Sequence, residues 1–164
     1  MRMLGIDPGT ALCGWGVVDH SGSRREAVDY GVISTPAKMD GARRLQIIYD
    51  ELHQIIYQYA PQQAAIEKLF FGRNTTTALS VGQARGVVLL ALVKAQIPIV
   101  EVTPTQVKQA VAGYGRASKQ QIQLMVTRLL RLAQIPTPDD VADALAIALT
   151  GGDWLHFQEV VRDR

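Results

Sequence analysis

Met3-Leu4-Gly5-Ile6-Asp7-Pro8-Gly9-Thr10 decides how the rest of the chain is read. A short apolar run ends in a carboxylate and then breaks at a Pro-Gly pair, the pattern of a buried strand running into a tight turn. Residues 2–7 therefore read as a strand with Asp7 at its end. The pattern recurs at Ala64-Ala65-Ile66-Glu67, where a second apolar run closes on an acid. Further on, Asp139-Asp140-Val141-Ala142-Asp143 opens an apolar helix, and the three-residue spacing puts Asp140 and Asp143 on one face. Acids are favoured in a helix's first turn by its dipole, and Asp139 can serve as the cap. That does not account for Asp143, which is followed by Ala144, Leu145 and Ala146 and needs a partner against an apolar face. Acids at strand ends and at a helix start can converge although they are distant in sequence. Convergent carboxylates repel unless a cation lies between them, and a hard divalent ion such as Mg²⁺ fills that place with oxygen ligands.

Working outward, residues 14–20 and 28–34 read as two more strands, joined through His20-Ser21-Gly22-Ser23 as a hairpin. From Asp40 the period changes, and Leu45, Ile48, Leu52, Ile55, Ile56 and Tyr59 form one helical stripe that stops before Pro61. Residues 63–67 are a short buried strand, Thr75 to Ala95 a second helix, and Pro98 opens a strand through Val102. Thr103-Pro104 starts a helix that Gly113-Tyr114-Gly115 ends. Ser118 caps the next, with Ile122, Met125, Val126, Leu129 and Leu132 as its stripe. The last helix runs from Pro138 to Gly151-Gly152, leaving 151–164 as a peripheral tail. This is an α/β chain: a mixed sheet of about five strands, part parallel and part antiparallel, with helices on both faces.

The 164 residues fit one domain, and no linker, repeat or low-complexity segment divides them. With 48% hydrophobic and 20% charged residues the balance is that of a soluble globular protein. The single cysteine, Cys13, excludes an internal disulfide and reads as a small buried apolar residue, in keeping with a reducing, cytoplasmic setting. No leader sequence is expected. The longest apolar run, Val87–Val93, is too short to cross a bilayer, so no membrane partner is expected. A net charge of +2 says little, but Lys108, Arg116, Lys119, Arg128 and Arg131 fall between positions 108 and 131. A near-neutral total can therefore hide a basic surface beside an acidic pocket.

Two loops have the chemistry of nucleic-acid contacts. Lys68-Leu69-Phe70-Phe71-Gly72-Arg73-Asn74 places adjacent aromatics among basic residues. An aromatic there can stack on an unpaired base or wedge into a base step. The alternative is that both cap the core. Phe71 is read that way, while both readings stand for Phe70. Lys108 and Lys119 flank the glycine-bounded loop that carries Arg116, an arrangement suited to phosphates. Gly82-Gln83-Ala84-Arg85-Gly86 puts small residues on one helix face, for close packing in the core or across a two-fold axis. His20, His53 and His156 show no ligand spacing and read as structural or surface residues. The Asp-Pro-Gly-Thr turn also occurs in actin-like and sugar-kinase ATPases, but no second phosphate turn or adenosine pocket accompanies it.

Together, Gly5-Ile6-Asp7-Pro8-Gly9, Ala65-Ile66-Glu67, Gly82-Gln83-Ala84-Arg85-Gly86, Gln106-Val107-Lys108-Gln109 and Ala142-Asp143-Ala144-Leu145-Ala146-Ile147-Ala148 resemble the bacterial RuvC Holliday-junction resolvases, in order, over the chain to about position 150. The resemblance implies a ribonuclease H-like fold, a homodimer, and Mg²⁺-dependent paired nicking of four-way DNA junctions that leaves 5′-phosphate and 3′-hydroxyl ends. It implies that Asp7, Glu67, Asp140 and Asp143 are the catalytic and metal-binding acids, holding two ions, with Mn²⁺ as a possible substitute for Mg²⁺. Phe70 matches a loop aromatic that stacks on junction bases, and Lys108 and Lys119 match basic residues important for DNA. With Arg73 and Arg116 these make up the expected DNA contacts. RuvA and RuvB, the branch-migration proteins, are the implied partners. The competing readings are a ribonuclease H-like nuclease acting on RNA precursors, and a non-catalytic junction-binding module.

Overall fold

The computed structural model describes residues 1–69 and 75–162. Three strands open it: β1 (Arg2–Asp7), β2 (Leu12–Ser21) and β3 (Arg24–Ser34). Helix α1 (Gly41–Tyr59), β4 (Gln63–Glu67), α2 (Thr75–Lys94) and β5 (Ile99–Val102) follow. Then come α3 (Pro104–Ala112), α4 (Lys119–Leu129) and α5 (Asp139–Arg162). The sheet order is β3-β2-β1-β4-β5. β1 pairs antiparallel with β2, and β2 with β3, whereas β1–β4 and β4–β5 are parallel. The expected mixed sheet of five strands is present.

Strand alternation divides the core between the two faces of the sheet. Leu4, Ile6, Val17, Ala64 and Ile66 point to one side, under α1 and the inner face of α2 (Ala84, Val88, Ala91, Leu92). Met3, Val18 and Ala65 point to the other, under α3, α4 and α5. The local start signals act as their chemistry suggests. The Asp40 carboxylate accepts from Ala42 and Arg43 at the head of α1, and Thr103 and Ser118 each close a capping box with the glutamine three residues on. Gly113, at φ 83°, ends α3. Cys13 is fully buried, as expected.

Four expectations need correction. The strands β2 and β3 begin earlier than 14 and 28, because the hairpin pairs from Leu12↔Ser34 out to Ser21↔Arg24. Gly151-Gly152 does not end the last helix, and 151–162 continues α5. A Cβ on Gly151 would stand 2.5 Å from Ala65 Cβ, and one on Gly152 2.1 Å from the His20 ring, so these glycines let the helix lie against the sheet. On α4, Ile122 and Val126 are buried but Leu129 turns outward, and Leu130 takes the core position as the helix closes. Finally, α2 outlasts its longest apolar run. Residues 77–94, with a mean hydropathy of 1.3, are long and apolar enough by length and composition to cross a membrane. The helix seats one face on the sheet and leaves Leu79, Leu90 and Val93 exposed on the other.

Candidate active site

Register brings the first two acids together. Gly5 of β1 is paired with Ala65 of β4. Two residues further along each parallel strand, on the same face, come Asp7 and Glu67. Their side chains leave the sheet side by side at the carboxyl ends of β1 and β4, the usual ligand-binding edge of a parallel sheet. Both face the side covered by α5.

The third and fourth acids reach this edge because α5 lies unusually close to the sheet. A Cβ on Gly5 would be 2.1 Å from the Ala144 carbonyl oxygen, and one on Gly14 2.0 Å from that of Asp140. On Gly16 it would meet Leu145 Cδ2 at 2.6 Å. Gly5 pairs with Gly16, and Asp7 with Gly14, so the three glycines form one bare patch across β1 and β2. Into it fit the main chain of Ala144 and the main chain and methyl group of Ala148. These glycines were not singled out from the sequence. Their signal, glycines two apart on a strand, becomes legible only with the register.

Asp7, Glu67 and Asp143 line one cleft of about 280 Å³, together with Lys108, Lys119, Pro104, Val107, Ile122 and Ile147. Asp140 lies outside that lining, a turn before Asp143, yet its charge still acts on Asp7. Burial first, then the Asp143, Asp140 and Glu67 carboxylates, push the Asp7 carboxyl up to about 7. Glu67 and Asp143 are raised as well, chiefly by burial. Four clustered acids thus lack sufficient positive charge. Lys119 supplies part of it, its Nζ standing 2.5 Å from Asp139 Oδ2 and 3.0 Å from Asp143 Oδ2. Asp139 is the first residue of α5, so it serves as an ion-pair partner and not as the helix cap.

As the side chains stand, no three His, Cys, Asp or Glu residues among the described ones are within common reach of one ion. Asp143 is turned to Lys119 instead. The donor set nonetheless fits a hard divalent cation: its donors are all carboxylate oxygens, and Asp7 is destabilised as an anion by burial and then by its acidic neighbours. Removing the ammonium isolates its role. Because Lys119 is half-exposed, Lys119→Ala should cost no more than about 1 kcal/mol of stability in a denaturant melt. It should nevertheless raise the Asp143 pKa further, which carbon-13 NMR titration of the carboxyls would report.

The turn after Asp7 is tied down on its far side. Thr10 Oγ1 donates to the Ser80 carbonyl at 2.8 Å, Thr35 Oγ1 donates to the Thr10 carbonyl at 2.5 Å, and Arg44 Nε donates to Thr35 Oγ1 at 2.7 Å. Neither Thr35 nor Arg44 carries a sequence signal for this. Arg116 is exposed on the loop between α3 and α4, outside the cleft lining. Phe70, Phe71 and Arg73 lie outside the described residues.

The family model for crossover junction endodeoxyribonuclease RuvC matches residues 3–151. The chain belongs to the RuvC family. It is 58% identical over 149 residues to the crossover junction endodeoxyribonuclease RuvC of Heliobacterium modesticaldum, covering 91% of this chain and 92% of the relative. To that of Brevibacillus brevis it is 52% identical over 157 residues, covering 96% and 95%. Among solved structures, Thermus thermophilus RuvC in complex with a Holliday junction substrate superposes with a TM-score of 0.91 at 36% identity, covering 96% of each chain. The yeast mitochondrial Holliday junction resolvase Ydc2, at 14% identity and a TM-score of 0.68, shares the fold. The five-stranded sheet of this RuvC family member is accordingly of the ribonuclease H-like class, as the resemblance implied.

Proposed function

We propose that this chain is a metal-dependent endodeoxyribonuclease that resolves four-way DNA junctions by paired nicking, with Asp7, Glu67, Asp140 and Asp143 as its metal-binding acids. The observation that carries the reading is the cleft in which Asp7, Glu67 and Asp143 stand with Lys108 and Lys119 at its walls. Acids alone would repel a phosphodiester, and the two ammonium groups offset that charge and hold the flanking phosphates. Asp7, on the central strand of the sheet, and Glu67 beside it would hold the metal, and Glu67 would also help orient the attacking water. Lys119, which pairs with Asp143 in the metal-free cleft, would offset the charge that develops on the phosphoryl oxygens. Two Mg²⁺ ions, when bound, supply an activated water and stabilise the leaving 3′ oxygen. Arg116, Phe70 and Arg73 complete the proposed DNA contacts.

A four-way junction has near two-fold symmetry, and two sites related by a two-fold axis match it. The outer face of α2 supports the dimer: Leu79, Leu90 and Val93 are exposed, and a Cβ on Gly82 or Gly86 would meet nothing within 4 Å. RuvA and RuvB are the proposed partners, in the cytoplasm, a reading that family membership supports. A junction-binding module without catalysis would need the lysines but not the buried acids. The test is to incubate the purified protein with a synthetic junction, with and without Mg²⁺, and map the cuts on each strand. Symmetric nicks on two opposed strands, only with metal, are expected. Binding without cuts would overturn the nuclease reading, and cutting of structured RNA in preference to the junction would redirect it.

A further inference from the structure

Arg85 belongs to α2, the helix opposite the acidic cleft, and its side chain is only 13% exposed. A buried guanidinium needs its donors satisfied. Nη1 donates to the main-chain carbonyl of Glu67 at 2.6 Å, and Nη2 stands 3.1 Å from Glu101 Oε2 on the edge strand β5. Glu67 is the last residue of β4, and the next amide, that of Lys68, is held by the Val102 carbonyl at 2.7 Å. Arg85 therefore grips the main chain where the strand ends and the Glu67 side chain turns into the cleft. It also braces β4 against β5 through Glu101.

We propose that Arg85 is a positioning residue for Glu67, fixing the strand end from which the carboxylate reaches toward the cation. The proposal rests on the nuclease reading above. An acid on a loose strand end must be ordered when the ion binds, and that ordering weakens both metal affinity and the chemical step. The same contact makes α2 a support for the cleft as well as a cover for the sheet. Lysine in its place reaches one acceptor as a point charge but lacks the two-pronged grip.

The test compares wild type with Arg85→Ala, Arg85→Lys, Glu101→Gln and Glu67→Gln. Single-turnover junction cleavage is followed against Mg²⁺ concentration, and Mn²⁺ binding to the protein alone by electron paramagnetic resonance. Arg85→Ala should slow cleavage about tenfold or more, raise the half-saturating Mg²⁺ several-fold and weaken Mn²⁺ binding in parallel. Its junction affinity without metal should stay within about twofold. Arg85→Lys should recover part of each loss, and Glu101→Gln, which keeps an acceptor for Nη2, should stay within a few-fold of wild type. Unchanged rate and metal dependence in Arg85→Ala would overturn the proposal, as would a loss confined to junction affinity. So would a fall in melting temperature with the metal midpoints unmoved, which marks a purely structural residue. If Arg85→Ala does not fold, Arg85→Lys decides: wild-type metal midpoints in that variant overturn the proposal. Failure of the wild type to cleave, or wild-type cleavage by Glu67→Gln, would instead remove the function on which the proposal rests.

Discussion

Asp7→Asn is expected to abolish junction cleavage, by a thousandfold or more in single-turnover assays, while junction binding without metal stays near wild type. The amide keeps the shape of the side chain but loses the anion proposed to bind metal. The same substitution should stabilise the metal-free protein at alkaline pH. Asp7 titrates near 7 in the fold, against 3.8 ordinarily. A raised carboxyl favours the folded state while protonated, so its contribution is fully present below about pH 4 and is lost as pH rises through 7. That difference corresponds to on the order of 4 kcal/mol. Metal-free wild type should therefore melt several degrees lower at pH 8 than at pH 5. Asp7→Asn should show a flatter profile and a higher melting temperature at pH 8, and Mg²⁺ should raise the wild-type value and hardly move that of the variant. A wild-type melting temperature that does not fall between pH 5 and pH 8 would show that Asp7 is not held in its protonated form by its burial and its acidic neighbours.

The second large effect belongs to two residues without a functional group. A methyl group on Gly5 would press on the Ala144 carbonyl oxygen at 2.1 Å, and one on Gly14 on that of Asp140 at 2.0 Å. These are main-chain atoms of a buried helix and cannot swing aside. Gly5→Ala and Gly14→Ala should each push α5 off the sheet and cost about 3 kcal/mol in a denaturant melt. Where the variant still folds, cleavage should fall about a hundredfold or more, because the acids of α5 move relative to Asp7 and Glu67. Gly86→Ala is the control: its Cβ meets nothing within 4 Å, so its stability as a monomer should stay at or slightly above wild type. Wild-type stability and cleavage in Gly14→Ala would show that the close approach of α5 does not set the site.

The acids could be picked out from sequence because each follows a local rule. Asp7 and Glu67 end apolar strands, and Asp143 sits on an apolar helix face that offers no reason for a charge. Strand and helix types were legible for the same reason, since period, caps and Pro-Gly breaks are local. What lies over what was not legible. Gly151-Gly152 has the local look of a helix end, but packing against Ala65 and His20 overrides it. Asp139 looks like a cap, but Lys119 from another helix claims it. Arg85 sits in a small-residue stripe, and nothing in the stripe reveals that its guanidinium reaches the main chain of Glu67.

By itself, then, the sequence determined which groups carry charge, which stretches alternate or spiral, and where each acid stands within its own element, because those depend on neighbours a few residues away. Only the tertiary structure decided that Asp7, Glu67 and Asp143 share one cleft, that three glycines make room for α5, that Lys119 pairs with Asp143, and that Arg85 reaches the main chain of Glu67. Each of these depends on strand register and helix-to-sheet distance, which arise from contacts between residues tens to more than a hundred positions apart.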